Sequence, residues 1–252
     1  MSYTIETIAE RIGARRVGDA SATIDWLLTD SRSLSFPEET LFFALATKRN
    51  DGARYIPDLY SRGVRNFVVT QETLKAIDNG QLTIDNSMQR DGTQPIVNCQ
   101  LSMVNFLVVS DPLKALQKLA EQHREQFQIP VIGITGSNGK TIVKEWLHQL
   151  LSPERVIVRS PRSYNSQIGV PLSVWQMNEQ SELAIFEAGI SEMGEMRALQ
   201  NIIKPTIGIL TNIGGAHQEN FFSLQEKCME KLTLFKNCDV VIYNGDDEFI
   251  SN

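Results

Sequence analysis

Cysteine is scarce in this sequence, with only 3 among 252 residues. Cys99, Cys228 and Cys238 are an odd number, and their spacing is not that of a metal site. The composition therefore gives no disulfide framework, and it favours a reducing, cytoplasmic compartment.

Long hydrophobic runs and an excess of positive charge are also missing. No apolar stretch approaches the roughly 18–20 residues that a membrane span needs. Residues 1–12 mix Glu6 and Glu10 into an amphipathic pattern, which is unlike a signal peptide. The formal net charge is −6, so nothing favours binding to nucleic acid or to an anionic membrane. The composition is that of an ordinary globular protein, and the chain is long enough for one or two domains.

What the sequence does contain is a glycine-rich loop between a strand pattern and a helix pattern. Residues 131–135 are mostly β-branched, residues 136–141 read Gly-Ser-Asn-Gly-Lys-Thr, and apolar residues at helical spacing run from Ile142 to Leu151. Such a loop turns backbone N–H groups toward a phosphate, and the helix N-terminus adds the positive end of its dipole. A plain strand-to-helix turn is the alternative, since the strict P-loop pattern needs glycine where Ile134 stands.

Four residues are candidates for phosphate and metal chemistry. Lys140 would reach the β- and γ-phosphates of a nucleotide, and the Thr141 hydroxyl would hold Mg²⁺. Glu187 ends the apolar run 183–187 and offers a second hard oxygen ligand. His217 is less expected at Mg²⁺ because imidazole suits softer metals, so a general base or a structural histidine stays open.

Strand and helix patterns alternate after residue 110, which predicts an α/β fold with a mostly parallel sheet. Ligands of such sheets bind at the carboxyl ends of the strands. Four polar residues stand at these ends: Thr135, Ser160, Glu187 and Asn212. We predict one α/β domain over residues 1–109 and a second over residues 110–252.

The first of these domains carries a polar stretch, Asp30-Ser31-Arg32, after a predicted strand. An Asx-type turn with a surface arginine would explain it. A site for an anionic ligand is the alternative, because arginine offers a fork of donors and serine a hydroxyl. Residues 71–100 are polar and weakly patterned, and they are predicted to form a surface excursion.

Together these motifs resemble the Mur ligase family, the ATP-dependent ligases that add amino acids to the peptidoglycan precursor. Residues 30–32, 41–45 and 51–52 are similar to its N-terminal domain, which holds the UDP-sugar end of the substrate. Residues 133–141, followed by Lys144-Glu145, resemble its central ATPase domain. The family's loop also departs from the strict glycine spacing, so the misfit at Ile134 supports the resemblance.

Two further stretches resemble a particular type within the family. Residues 211–221 are most similar to the members that join D-alanyl-D-alanine to UDP-N-acetylmuramoyl-tripeptide. Residues 163–169 resemble the ligase half of proteins in which such a ligase is fused to an alanine racemase. The resemblance implies an N-terminal α/β substrate domain and a P-loop ATPase domain, which looks incomplete here.

The resemblance also implies a role for each motif residue. Lys140 would stabilise charge during phosphoryl transfer, Thr141 and Glu187 would bind a first Mg²⁺, and His217 would bind a second. Lys231 aligns with a lysine that is carbamylated in several members of the family, which makes it a third catalytic candidate. An ordinary solvated helix lysine is the alternative for Lys231.

The remaining implied contacts are with the nucleotide and the muramyl substrate. Asn165 matches a family asparagine, and Ser166 replaces the second one. Ser31 and Arg32 are candidates for the uridine or diphosphate end. The expected nucleotide contacts are Gly136, Ser137, Asn138, Gly139, Lys140, Thr141 and Asn212.

The implied reaction is amide-bond formation through an acyl phosphate, with ATP and two Mg²⁺ ions. Mur ligases also have a C-terminal domain that this sequence does not show, so we expect the chain alone not to complete ligation. Three alternatives remain open. They are a folylpolyglutamate-synthase-like ligase, a non-catalytic fragment that binds UDP-sugar or nucleotide, and an unrelated P-loop kinase.

Overall fold

The computed structural model divides the chain into two compact units, Met1–Leu119 and Ala120–Asn252. It describes residues 1–47, 50–79, 103–214, 220–246 and 250. The division falls inside the helix Pro112–Arg124, whereas the sequence pattern assigned that whole helix to the second domain. The predicted boundary at residue 109 directly follows the strand Asn105–Val108. No helix in the described residues is long and apolar enough to cross a membrane.

The first unit is built on a five-stranded sheet. The described strands of the whole unit are β1 Tyr3–Thr4, β2 Arg15–Val17, β3 Thr23–Ile24, β4 Trp26–Leu28, β5 Thr40–Phe43, β6 Ala46–Thr47, β7 Asn50–Asp51, β8 Asn66–Val69 and β9 Asn105–Val108. Strands β1 and β3 form a separate two-stranded sheet, and so do β6 and β7. The helices of the unit are α1 Ile5–Ile12, α2 Ile56–Ser61 and α3 Gln71–Asp78, with 3-10 turns at Ser31–Ser33 and Gly52–Tyr55. The sheet order is β2-β9-β8-β5-β4, and only β2 runs antiparallel to its neighbour. Aromatic rings of Phe42, Phe67 and Phe106 pack together in its core.

Helix α3 corrects one prediction from the sequence. Its residues fall in the stretch expected to be a surface excursion, yet they form two turns of helix. The Thr70 hydroxyl accepts a hydrogen bond from the Thr73 N–H at 3.2 Å and so caps the helix. Leu74 and Ile77 are buried, and their three-residue spacing places them on one face. Residues 80–100 of the excursion lie outside the described residues.

The second unit holds a fully parallel five-stranded sheet, which confirms the predicted α/β class. The helix Pro112–Arg124, here α4, precedes it. The following elements are β10 Val131–Thr135, α5 Lys140–Leu151, β11 Ile157–Arg159, α6 Gly169–Val174, β12 Leu183–Glu187, α7 Glu195–Ile203, β13 Ile207–Leu210, α8 Leu224–Leu232, a 3-10 turn Thr233–Phe235, and β14 Val240–Tyr243. The strand order is β11-β12-β10-β13-β14.

Helices cover both faces of this sheet, because alternate strand residues point to opposite sides. On one face, Ile132 and Ile134 of β10 pack with the apolar side of α5. On the other face, Val131 and its neighbours pack with α6 and α7. This arrangement leaves the carboxyl ends of β10, β12 and β13 at one edge, where the polar motifs of the sequence stand.

Candidate functional site

The loop after β10 folds tightly against the end of β13. Gly136 has φ +141° and Gly139 has φ +80°, backbone conformations that glycine tolerates best. A Cβ on Gly136 would lie 2.0 Å from Thr211 Oγ1, so any side chain there would have to displace Thr211. The Thr211 hydroxyl in turn donates to the Asn138 carbonyl at 2.6 Å. The close approach of the two loops therefore depends on glycine at position 136.

Asn212 fixes the middle of the same loop. Its carbonyl accepts from the Ser137 N–H at 2.9 Å, and its side-chain oxygen accepts from the Asn138 N–H at 2.9 Å. The Ser137 hydroxyl donates to the Gly214 carbonyl at 3.1 Å. Asn212 thus holds the shape of the loop, and its predicted contact with a nucleotide stays a prediction.

Helix α5 begins directly after the loop, with Gly139 as its N-cap and no side-chain cap. Its first residue, Lys140, donates from Nζ to the Gly136 carbonyl at 2.8 Å, which places the ammonium over the loop. Burial lowers the pKa of Lys140, and the positive charge of Lys227 lowers it further, while Glu187 opposes both effects. Uncapped N–H groups, a helix dipole and a lysine converge here, as anion binding requires.

Glu187, the last residue of β12, faces the first turn of α5. Its side chain is fully buried. Oε2 accepts from the Thr141 hydroxyl at 3.1 Å and from the Asn165 side-chain amide at 3.4 Å. Oε1 lies 2.9 Å from Lys144 Nζ as an ion pair, but it accepts no hydrogen bond among the described residues. The carboxylate is therefore held in place with coordinating capacity to spare.

These oxygens fit Mg²⁺. Thr141 Oγ1 and the Glu187 carboxylate are hard ligands, and Mg²⁺ is usually held by one or two carboxylates together with substrate phosphates. Within the described part of the chain, no group of three or more His, Cys, Asp or Glu residues could hold a metal by itself. Among the described residues, Thr141 and Glu187 are therefore the candidate Mg²⁺ ligands.

Two buried lysines approach the loop from α8. Lys231, 3% exposed, donates to the Gly136 carbonyl at 3.2 Å, and Lys227, 1% exposed, donates to the Gly214 carbonyl at 2.6 Å. Burial lowers the pKa of Lys231 to about 8, and the charges of Lys140 and Lys227 add to that effect. The interpretation of Lys231 as a solvated helix lysine is wrong.

A small cavity of about 110 Å³ opens between these groups. Its lining is Gly136, Ser137, Lys140, Asn165, Ser166, Gly189, Ile190, Ser191 and Lys231. Two ammonium groups and several hydroxyls therefore face a space suited to a small anionic group, such as a phosphoryl group.

Ser31, Arg32 and His217 are the remaining predicted site residues. His217 lies outside the described residues. Ser31 and Arg32 belong to the first unit, where the Asp30 side chain accepts from the Arg32 N–H at 3.1 Å and pairs with its guanidinium at 2.6 Å. This is the Asx-type turn that the sequence allowed. The Arg32 side chain is 87% exposed, so it is accessible to a ligand as well.

Comparisons with known proteins identify the family. A model described as the Mur ligase middle domain matches residues 134–252. The UDP-N-acetylmuramoyl-tripeptide–D-alanyl-D-alanine ligase of Bacillus subtilis is 28% identical over 99% of this chain and 50% of its own length. The chain belongs to the Mur ligase family. The relatives that it matches in these comparisons are ligases of the MurF type.

Solved structures show the same fold. MurF from Acinetobacter baumannii superposes with a TM-score of 0.78 at 23% identity, over all of this chain and 51% of that one. MurF from Thermotoga maritima in complex with ADP gives a TM-score of 0.66 at 24% identity, over 88% of this chain and 46% of that one. This chain therefore spans about half the length of the relatives it matches.

Sequence reasoning assigned no role to two lysines of the site, Lys144 and Lys227. Lys144 lies three residues after Thr141 and Lys227 four residues before Lys231, so each shares a helix face with a residue that was recognised. That spacing was available in the sequence as a signal. Their burial was not, because an isolated lysine on a helix is exposed by default.

Proposed function

We propose that this chain is the nucleotide-binding and muramyl-substrate-binding part of a MurF-type ligase. The reaction would add D-alanyl-D-alanine to UDP-N-acetylmuramoyl-tripeptide at the expense of ATP, in peptidoglycan precursor synthesis. The observation that carries the proposal is the convergence of Lys140, Thr141 and Glu187 around a glycine loop at the carboxyl edge of a parallel sheet. The MurF name of the matched relatives supports the choice of substrates.

In this proposal the loop and the start of α5 bind the phosphates of ATP. Lys140 would move from the Gly136 carbonyl to the β/γ-phosphates and neutralise charge as the terminal phosphoryl group passes to the tripeptide carboxylate. That transfer breaks the bond to ADP and forms an acyl phosphate. The amine of D-alanyl-D-alanine then attacks the acyl carbon, and inorganic phosphate leaves.

Thr141 and Glu187 would hold Mg²⁺, and His217 would hold a second ion. Such ions supply charge stabilisation for the oxygens that carry developing negative charge. Lys231 is well placed to take part, because an amine with a pKa of about 8 is partly neutral near that pH and can react with carbon dioxide. A carbamylated Lys231 would offer a carboxylate-like group beside the phosphate cavity. Asn165 and Ser166 would contact the substrate there.

Ser31 and Arg32 would recognise the uridine or diphosphate end in the first unit. The guanidinium of Arg32 is exposed and its partner Asp30 leaves part of the donor fork open to solvent.

A reaction that consumes ATP is consistent with a cytoplasmic enzyme. The fusion to an alanine racemase remains a prediction.

Calorimetric titration with UDP-N-acetylmuramoyl-tripeptide tests the substrate assignment. We expect binding that weakens at least about tenfold in Arg32→Ala, since one charge-assisted contact is lost. Arg15→Ala in the same unit is the matched control, because Arg15 bonds to Gln71 in an exposed contact of its own. UDP-N-acetylglucosamine and a folate are the control ligands. Binding of the folate in place of the muramyl nucleotide would contradict the proposal.

A further inference from the structure

Lys144 is an unusual lysine, because its charged end is held entirely inside the protein. Its side chain is fully buried, and Nζ donates to the Ser160 carbonyl at 2.8 Å and to the Arg162 carbonyl. Arg162 adopts φ +50°, a conformation that costs energy for a residue with a side chain. The loop after β11 therefore accepts backbone strain while it supplies two carbonyls to one ammonium group.

The same ammonium balances the carboxylate of Glu187. Nζ lies 2.9 Å from Glu187 Oε1, with both side chains fully buried, and 3.1 Å from Glu145 Oε1 at the surface. Thr141 and Lys144 are three residues apart on α5, so both reach Glu187 from one helix face. Separating a buried ion pair leaves each charge uncompensated, which is unfavourable. The pair with Lys144 therefore fixes the position of Glu187.

This fixed cation changes what the site offers to a metal ion. A divalent cation that arrives alone meets a carboxylate whose charge is already neutralised, with an anchored ammonium a few ångströms away. The two positive charges repel each other strongly in a poorly solvated site. Nucleotide phosphates bring the negative charge and the extra oxygen ligands that would overcome this repulsion.

We propose that Lys144 is a positioning residue that fixes Glu187 and makes divalent-cation binding at this site depend on bound nucleotide. The inference rests on the proposed nucleotide site and adds an order of binding to it. The metal enters with the nucleotide, and the protein alone has little affinity for it.

Mn²⁺ is a suitable probe, because electron paramagnetic resonance measures the free ion directly. We expect the wild-type chain to bind Mn²⁺ at least about tenfold more tightly with ADP than without it, after correction for Mn²⁺ held by free ADP. Lys144→Met should bind Mn²⁺ without ADP at least about tenfold more tightly than the wild type, because the competing charge is gone. Lys144→Arg keeps the charge and should keep the dependence on ADP. The exposed Lys236→Met is the matched control.

The Mn²⁺ measurement on the wild type can overturn the inference even if Lys144→Met fails to fold. Equal affinity of the wild type for Mn²⁺ with and without ADP would overturn the inference. So would a folded Lys144→Met variant whose affinity for Mn²⁺ alone matches the wild type. Calorimetry with ADP on the same samples distinguishes failure of the Lys144 inference from failure of the proposed nucleotide site. If ADP does not bind at all, the nucleotide site fails and the inference about Lys144 falls with it.

Discussion

Lys231 shows how much of this site depends on burial. The residue stands 3% exposed beneath the glycine loop, next to two other lysines, and its pKa falls to about 8 from 10.5. Desolvation is the largest cause, because the interior penalises the charged form. A lysine in this state is a reactive amine near pH 8, which an exposed lysine is not.

The depressed pKa predicts how stability changes with pH. Between pH 8 and pH 10.5 the unfolded chain carries more protons on Lys231 than the folded chain does. The free energy of unfolding therefore rises with pH in this window, by at most about 1.4 kcal/mol per pH unit from this group. Lys231→Met lacks that rise, so the stability of the wild type relative to the variant should increase from pH 8 to pH 10.5.

Urea unfolding at several pH values measures this difference. Lys236→Met, at an exposed position, serves as the control and should track the wild type across the window. A wild-type–Lys231→Met difference that stays constant from pH 8 to pH 10.5 would show that Lys231 is not desolvated as described.

Individual residues were predictable where a strand end or a loop pattern marked them. Lys140, Thr141 and Glu187 converge because a strand-loop-helix pattern and a parallel sheet place them at one edge. The burial of Lys144 and Lys227 was not predictable, since only the packing of α5 and α8 shows it. Asn212 was predicted to contact the nucleotide, which stays a prediction, and its hydrogen bonds to the loop were not foreseen.

At the scale of elements, the glycine loop and the start of α5 form one structural unit that depends on two glycines. The loop needs Gly136 because its backbone, at φ +141°, approaches Thr211 more closely than any Cβ would allow. The start of α5 needs free N–H groups, and Gly139 as N-cap provides no side chain to satisfy them. The local sequence thus leaves the proposed phosphate site open at some cost in stability.

Gly136→Ala tests this dependence. The new methyl group would displace Thr211, so we expect the affinity for ADP to fall at least about tenfold and stability to fall by about 1–3 kcal/mol. Gly194→Ala is the matched control, since Gly194 also has a positive φ, +85°, but nothing within 4 Å of an added Cβ. It should lose about 1 kcal/mol of stability and keep its affinity. Calorimetry and thermal unfolding measure both quantities, and ADP binding by Gly136→Ala at wild-type strength would refute the steric argument.

Elements with a strong hydrophobic period were predicted well, and those held by polar contacts were not. Strand β12 matches its predicted range of residues, because five consecutive buried residues leave no ambiguity. Helix α3 was missed because most of its residues are polar and only Leu74 and Ile77 are buried. The short strand β2 was also missed, since its side chains are at most partly buried.

At the scale of the molecule, the order β11-β12-β10-β13-β14 explains why distant motifs meet. With β10 at the centre, the carboxyl ends of β12 and β13 flank the glycine loop on either side. Alternating strand and helix patterns predicted this parallel sheet, although they could not specify the order of its strands. The position of the division, inside α4, depends on packing along a single helix and left no mark in the sequence.

The central claim is that the edge of this sheet binds a nucleotide through Lys140, and calorimetric titration of the 252-residue chain with ADP and Mg²⁺ tests it most directly. We predict binding that Lys140→Met weakens at least about tenfold, because an ion pair with phosphate is lost in a half-buried site. Lys236→Met, which removes an exposed lysine, should leave it unchanged. Absence of ADP binding, or equal binding by Lys140→Met and the wild type, would contradict the account.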